Sequence, residues 1–314
     1  MGKNLTLDVN NVSKSYQGNQ ALKNASLKWE DGILGLIGPN GAGKSTLIKL
    51  ISTLTRPDSG SLKVLGKDVL KEPLEVRRRI GVLFENPVFH PKLTVFSSLC
   101  WVGEIRGLST RFAKQQALEL LEYFKLDIKS DSRLGELSAG MKQKYGLMCA
   151  TIGNPPLIIL DEPTSNLDPD SRRLYASYIN RLANESECRF LISSHVLGEL
   201  DHLCTAFAFI FYGEIALFGQ RKDLKSKDYL PKYGIMTKNT QKLLHLLVKE
   251  GVKIDSINEK QITIKAERFH ELLELVVRVQ KEGFTDELEI VKVESETEAI
   301  YQKLGSLYRE RKGV

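Results

Sequence analysis

The 314-residue sequence lacks the features that define several large protein classes. No apolar stretch reaches the roughly 20 residues that a helix needs to cross a bilayer. The best candidate, Ala206–Tyr212, stops at Gly213 and reads as a buried strand. The opening residues, MGKNLTLDVN, lack the apolar block of a secretory leader and alternate as a half-buried strand does. Four cysteines (Cys100, Cys149, Cys188, Cys204) form no CxxC pair and no metal-ligand spacing. Three lie in apolar stretches, which argues against a disulfide framework and fits a reducing compartment. His202 with Cys204 supplies two potential ligands, too few for a site. There is no long-period repeat and no low-complexity stretch. Charge of one sign is scarce too: the net +6 is spread along the chain and selects no particular partner. What remains, 42% hydrophobic and 27% charged, suits a globular chain with one large core or two modest ones.

The pattern along the chain predicts two domains. Residues 5–30 read as strands around a turn at Gln17-Gly18-Asn19, and Gly32–Gly38 as a buried strand entering a glycine-rich loop. Ser45–Leu54 has helical spacing at Leu47, Leu50, Ile51 and Leu54 and stops near Pro57. A polar-rich, mostly helical segment covers about 87–154 and looks inserted. Buried strands recur at Leu157–Leu160, Phe190–Ser193 and Ala206–Tyr212. Apolar strands alternating with helices predict an α/β fold with a mostly parallel sheet covered on both faces. At 221–232 a Lys- and Asp-rich stretch ending near Pro231 reads as a linker. The remainder, 233–314, predicts a small α+β domain of order βαββαβ. Its elements are a strand at Tyr233–Thr237, a helix at Gln241–Glu250 and two strands around Asn258-Glu259-Lys260, then a helix at Phe269–Gln280 and a strand at Leu288–Val293. A last helix opens with Ser295-x-x-Glu298, a capping box, and carries Ile300, Leu304, Leu307 and Tyr308 on one face.

Two motifs carry chemistry. Gly38-Pro39-Asn40-Gly41-Ala42-Gly43-Lys44-Ser45-Thr46 has the form G-x-x-x-x-G-K-[ST], between a strand and a helix. Glycines let backbone N–H groups converge on phosphate oxygens, and the helix N-terminus adds a favourable field. Lys44 is expected on the β- and γ-phosphates and Ser45 on Mg²⁺. Further on, the strand Leu157–Leu160 ends in Asp161-Glu162, at the sheet edge where a metal-directed carboxylate belongs. Asp161 is expected to hold the metal through water and Glu162 to act as general base. An acidic pair alone more often marks a solvated turn; downstream of a phosphate loop it points to catalysis. Ser138 opens a helix whose Met141, Tyr145, Met148, Cys149 and Ile152 share a face, aiming a hydroxyl and backbone N–H groups at an anion.

With Leu137-Ser138-Ala139-Gly140-Met141-Lys142-Gln143 lying upstream of Asp161-Glu162, the sequence resembles the ABC-type ATPases, whose LSGGQ signature this segment is similar to. The resemblance covers about 5–220. It implies a P-loop ABC ATPase core: a mixed sheet with antiparallel N-terminal strands and an inserted helical subdomain. It also implies Tyr16 as the adenine-stacking aromatic, Glu85 at the Q-loop position and near the metal, Ser165-Asn-Leu-Asp168 as the D-loop, and His195 as the γ-phosphate switch. Taken singly, Tyr16 would be a strand aromatic and His195 a strand-end histidine. Two residues depart from the family's pattern: Ala139 adds a methyl where a glycine is usual, and Glu85 adds a negative charge where glutamine is usual. The resemblance implies a head-to-tail homo- or heterodimer in which Ser138 and Gly140 of one ATPase subunit complete the ATP site of the second, with ATP and Mg²⁺ as cofactors. It further implies a separate transmembrane permease, a position on the inner face of the cell membrane, an exporter role, and no nucleic-acid partner. The alternative is an ABC ATPase acting on ribosomes, DNA or protein assemblies.

Overall fold

The computed structural model describes residues 5–165, 167–224, 232–265, 269–282, 284, 287–294 and 296–312. The chain divides into two compact units, Met1–Arg221 and Lys222–Val314. Most of the expected linker (225–231), Asn166 of the D-loop, Ser295 of the capping box and the first four residues lie outside the described residues.

The first unit opens with β1 (Leu7–Tyr16) and β2 (Asn19–Trp29), an antiparallel pair turning at Gln17 and Gly18, where φ is +46° and +84°. Then come β3 (Ile33–Ile37), buried at every residue, and α1 (Lys44–Ile51). The helix ends three residues before Leu54, the expected limit. Thr53 adopts φ +60°, its N–H bonds to the Leu50 carbonyl, and the Leu54 N–H bonds back to Lys49 O at 2.9 Å. That is a Schellman stop, which spacing alone does not reveal. There follow β4 (Ser59–Val64), β5 (Lys67–Asp68), α2 (Pro73–Arg78) and β6 (Ile80–Leu83). Three well-capped helices come next: α3 (Val95–Ile105) on Thr94, α4 (Thr110–Tyr123) on Ser109 and α5 (Ala139–Thr151) on Ser138. The unit closes with β7 (Leu157–Asp161), α6 (Pro169–Glu185), β8 (Arg189–Ser194), α7 (Leu197–Leu200), β9 (Ala206–Phe211) and β10 (Glu214–Gln220).

The main sheet has the order β10-β9-β3-β8-β7-β6, with β10 antiparallel to β9 and the other neighbours parallel. A second sheet, β2-β1-β4-β5, is antiparallel. One core cluster joins the two sheets through Leu7, Trp29, Leu36, Leu50, Leu62 and Leu191. The expected single apolar stripe on α5 is too narrow a description. Gln143, Gly146, Leu147 and Ala150 are buried as well, while Met141 and Cys149 are half-buried. Helix α5 packs against β6, β7 and α3 together, so it is enclosed on several sides.

The second unit contains β11 (Lys232–Met236), α8 (Thr240–Lys249), β12 (Ile254–Ile257), β13 (Gln261–Lys265), α9 (Phe269–Lys281), β14 (Glu289–Glu294) and α10 (Glu296–Lys312). Its sheet is fully antiparallel in the order β12-β13-β11-β14, the ferredoxin-like arrangement. Ile235, Leu243, Leu247, Ile262 and Ile264 form its core. On α10, Ile300, Leu304 and Tyr308 are half-buried as expected, but Leu307 is exposed. No helix among the described residues is long and apolar enough to cross a membrane.

Candidate functional site

Because β3, β8, β7 and β6 run parallel, their carboxyl ends emerge along one edge. The segments leaving those ends are Gly38–Thr46 after β3, His195 after β8, Asp161-Glu162 at β7 and Glu85 after β6. Strand order thus gathers residues up to 157 positions apart, as open α/β sheets do at their ligand crevices.

The loop after β3 needs its glycines for contact reasons. A Cβ on Gly38 would sit 2.3 Å from the Ile210 carbonyl oxygen, and one on Gly43, where φ is +109°, 2.6 Å from Ala21 O. The turn between β9 and β10 stitches this loop to β2: Gly213 N–H donates to Ala42 O at 2.9 Å, and Lys23 N–H to Gly213 O at 2.8 Å. A cavity of about 420 Å³ results, lined by Asn40, Gly41, Gly43, Lys44, Ser45, Thr46, Glu85 and Glu162. Asn19, Gln20, Ala21, Lys23 and Tyr212 complete its wall. The latter five are invisible in sequence, because only the β2–loop stitching brings them there. Tyr16 pairs in register with Asn19 at the cavity wall and is 43% exposed, with the Lys14 ammonium 5.4 Å from its ring. It does not itself line the cavity.

Lys44 is nearly fully buried, and its ammonium donates to Gly38 O at 2.7 Å and Pro39 O at 3.2 Å. It also lies 3.2 Å from Glu162 Oε1, a buried ion pair that sequence reasoning missed. The other Glu162 oxygen is 2.9 Å from His195 Nδ1. Glu162 adopts φ +48°, a left-handed conformation costing a non-glycine residue about 1–3 kcal/mol. Its N–H donates to Ser193 Oγ at 3.0 Å, and that hydroxyl donates to Asp161 Oδ1 at 2.5 Å, so β8 holds both acids. Asp161 sits behind the cavity rather than in its wall.

Asp168 caps α6, accepting from Ser171 N–H at 2.9 Å and Ser171 Oγ at 2.7 Å; these bonds hold its carboxyl below the usual carboxylate range. Ser138 caps α5 through Met141 N–H at 3.3 Å. None of Leu137–Gln143 lines the cavity. Ser138 and Ala139 are exposed, Gly140, Met141 and Lys142 half-buried, and Leu137 buried. Gln143 turns inward: its Nε2 donates to Pro163 O at 3.0 Å, and its main-chain carbonyl accepts from the Tyr175 hydroxyl. At 2% exposure its side chain is enclosed within its own chain.

A magnesium ion fits this donor set. Ser45, Asp161 and Glu85 offer only oxygen, and Mg²⁺ is commonly held by one or two carboxylates plus substrate phosphates. No cluster of three His, Cys, Asp or Glu side chains able to hold a metal alone occurs among the described residues.

A phosphate loop at the end of a central parallel strand, with an aspartate and an adjacent glutamate at the end of a neighbouring one, defines a P-loop nucleoside triphosphatase. The family model described as "ABC transporter" matches residues 22–165. The chain is 35% identical over 222 residues to the linearmycin resistance ATP-binding protein LnrL of Bacillus subtilis, covering 70% of this chain and 71% of that one. It is 35% identical over 233 residues to the Nod factor export ATP-binding protein I of Burkholderia thailandensis, covering 73% and 76%. A solved ATP binding subunit of an ABC transporter superposes with a TM-score of 0.64 at 26% identity, covering 88% of this chain and 99% of that one. The chain belongs to the ABC transporter ATP-binding family. It is an ATP-binding and ATP-hydrolysing subunit of such a transporter.

Proposed function

We propose that this subunit hydrolyses Mg-ATP inside a head-to-tail dimer and thereby drives a separate membrane permease in export. The observation that carries the reading is Glu162, held 3.2 Å from Lys44 and 2.9 Å from His195 at the cavity edge. Glu162 takes the proton of the attacking water, Lys44 and the loop N–H groups bind the β- and γ-phosphates, and His195 contacts the γ-phosphate. Ser45, and Asp161 through water, would hold Mg²⁺, which would offset charge on the phosphates, with Glu85 adding negative charge beside it. Tyr16 stacks on adenine from the rim. The exposed Ser138 and Ala139, with Gly140, approach the γ-phosphate of the opposite subunit, and Asp168 positions the D-loop between the two.

Residues 1–220 form the ATPase domain, 221–232 a linker and 233–314 an accessory domain. The relatives' names, resistance in one case and export in the other, support outward transport rather than action on ribosomes or DNA. An amphipathic cytoplasmic helix of the permease docks beside Glu85–Thr94. Val88 in that segment is almost fully exposed, and a groove of about 340 Å³ ending at Phe84, just before it, is lined by Leu54, Ile80 and Val82 with Ser52, Thr53 and Arg77. The protein then works on the inner face of the membrane through that partner.

Ser138→Arg tests the dimer. Placing a large cation at the segment facing the opposite subunit should leave ATP binding by the monomer intact while lowering turnover by a hundredfold or more, about 2.7 kcal/mol in the barrier. Wild-type turnover in this variant would refute the shared site.

A further inference from the structure

One polar side chain joins the three segments that surround the chemistry. Glu199, on α7, accepts from Thr164 Oγ1 at 2.6 Å through Oε2 and pairs with Arg172 Nη1 at 2.8 Å through Oε1. Arg172, on α6, donates from Nε to the Leu167 carbonyl at 3.1 Å. Thr164 lies two residues beyond Glu162, Leu167 one residue before Asp168, and Glu199 four residues beyond His195. The chain of contacts therefore runs from the turn after Glu162, through the helix bearing His195's successor residues, to the D-loop.

Helix α7 is also held by the buried Leu197 and Leu200, but among the described residues Glu199 supplies its side-chain link to both Thr164 and Arg172. The helix is a single turn of four residues without a side-chain cap. Between it and α6 lies a cavity of about 340 Å³, walled by Tyr175, Ile179, Leu200 and Leu203, so apolar packing is interrupted there. The lengths of both Glu199 contacts are those of charge-assisted bonds. Yet the Arg172 side chain is 44% exposed, and an ion pair this open contributes little to folding stability. Its consequence is geometric. A displacement of about 1 Å in a reacting group costs up to about a hundredfold in rate.

We propose that Glu199 is a positioning residue that locks the His195 segment to the Glu162 turn and transmits the D-loop's position to both. The proposal rests on Glu162 acting as base and His195 as its neighbour at the γ-phosphate. Thr164 supplies the hydroxyl and Arg172 the cation through which the lock acts.

The test is steady-state ATP turnover and thermal melting of the full chain carrying Thr164→Val, Glu199→Leu, both together, and Thr164→Ser. Each of the first two should lower kcat about tenfold, equivalent to about 1.4 kcal/mol, with KM for ATP within about twofold. Melting should shift by under about 2 °C. The double variant should fall no further than the worse single one, since both break one connection. Thr164→Ser, which keeps the hydroxyl, should restore at least half of kcat. Multiplicative losses, or a lowered melting point with kcat per folded molecule unchanged, would overturn the proposal. Glu162→Gln run alongside separates the two levels. If it abolishes turnover while the Glu199 and Thr164 variants run at full rate, only the lock fails; if it turns over normally, the assignment of the base fails.

Discussion

The six-stranded main sheet of the first unit and the four-stranded sheet of the second are used differently. In Met1–Arg221 five neighbouring strands run parallel, so every carboxyl end lies on one edge and every loop leaving that edge shares a neighbourhood. In Lys222–Val314 all pairings are antiparallel, and strand ends alternate between the two edges. Charged side chains there pair on the surface, as in Lys249–Glu282 at 2.6 Å and Arg278–Glu250 at 2.9 Å. A parallel sheet concentrates polar chemistry over an apolar interior, whereas an antiparallel one distributes it.

The strongest way to break that comparison is to remove a group from the shared edge. Lys44→Ala takes away the cation that bridges Gly38 O, Pro39 O and Glu162, leaving Glu162 Oε1 without its charged partner. ATP binding, read by titration calorimetry, should fall below detection and turnover with it. Retained micromolar binding would show that the loop backbone suffices. A buried change of comparable structural severity in the other unit should leave catalysis alone. Leu247 is fully buried in the second core, and Leu247→Ala should destabilise that unit by about 2–5 kcal/mol. ATP turnover at a temperature below the new transition should stay within about twofold of wild type. A large fall in kcat would show that the second unit reaches the site.

The smallest effect sharpens the picture at the cavity wall itself. Glu85 lines the cavity with Ser45, and Glu85→Gln removes one negative charge from the place assigned to Mg²⁺. Magnesium titrations of ATP binding should shift to several-fold higher concentration with little change in saturating turnover. An unchanged titration would remove Glu85 from the metal's surroundings.

What could be read in the sequence follows the same division between local and assembled features. Gly38–Thr46 was legible because its residues are contiguous and chemically unusual, and the end of β7 at Asp161 because four buried apolar residues precede it. The tail's βαββαβ order was legible from short, separate patterns, including the Asn258 turn, where Asn258 Oδ1 accepts from Lys260 N–H at 3.1 Å. Residues 59–83, with β4, β5, α2 and β6, and also β10 escaped notice. Strand β6 is four residues interrupted by Gly81, and β10 is only half-buried throughout, so neither shows a strong apolar run. The Lys44–Glu162–His195 contacts exist only because β8 lies between β3 and β7, which no local pattern encodes. Gln143 falls on the assembled side of that division. The motif marks where the segment is, but not that α5 is enclosed and turns this side chain onto Pro163.

The central proposal, that Glu162 is the base of a site completed by a second ATPase subunit, is tested most directly by Glu162→Gln in the chain alone, where that subunit is a second copy. ATP hydrolysis and particle mass should be followed together in the presence of Mg²⁺. The substitution keeps the shape and removes the proton acceptor. Turnover should fall by about a hundredfold or more while ATP remains bound, and the mass should double from the 35.4 kDa of one chain. Undiminished hydrolysis, or a variant that binds ATP and stays monomeric, would contradict it.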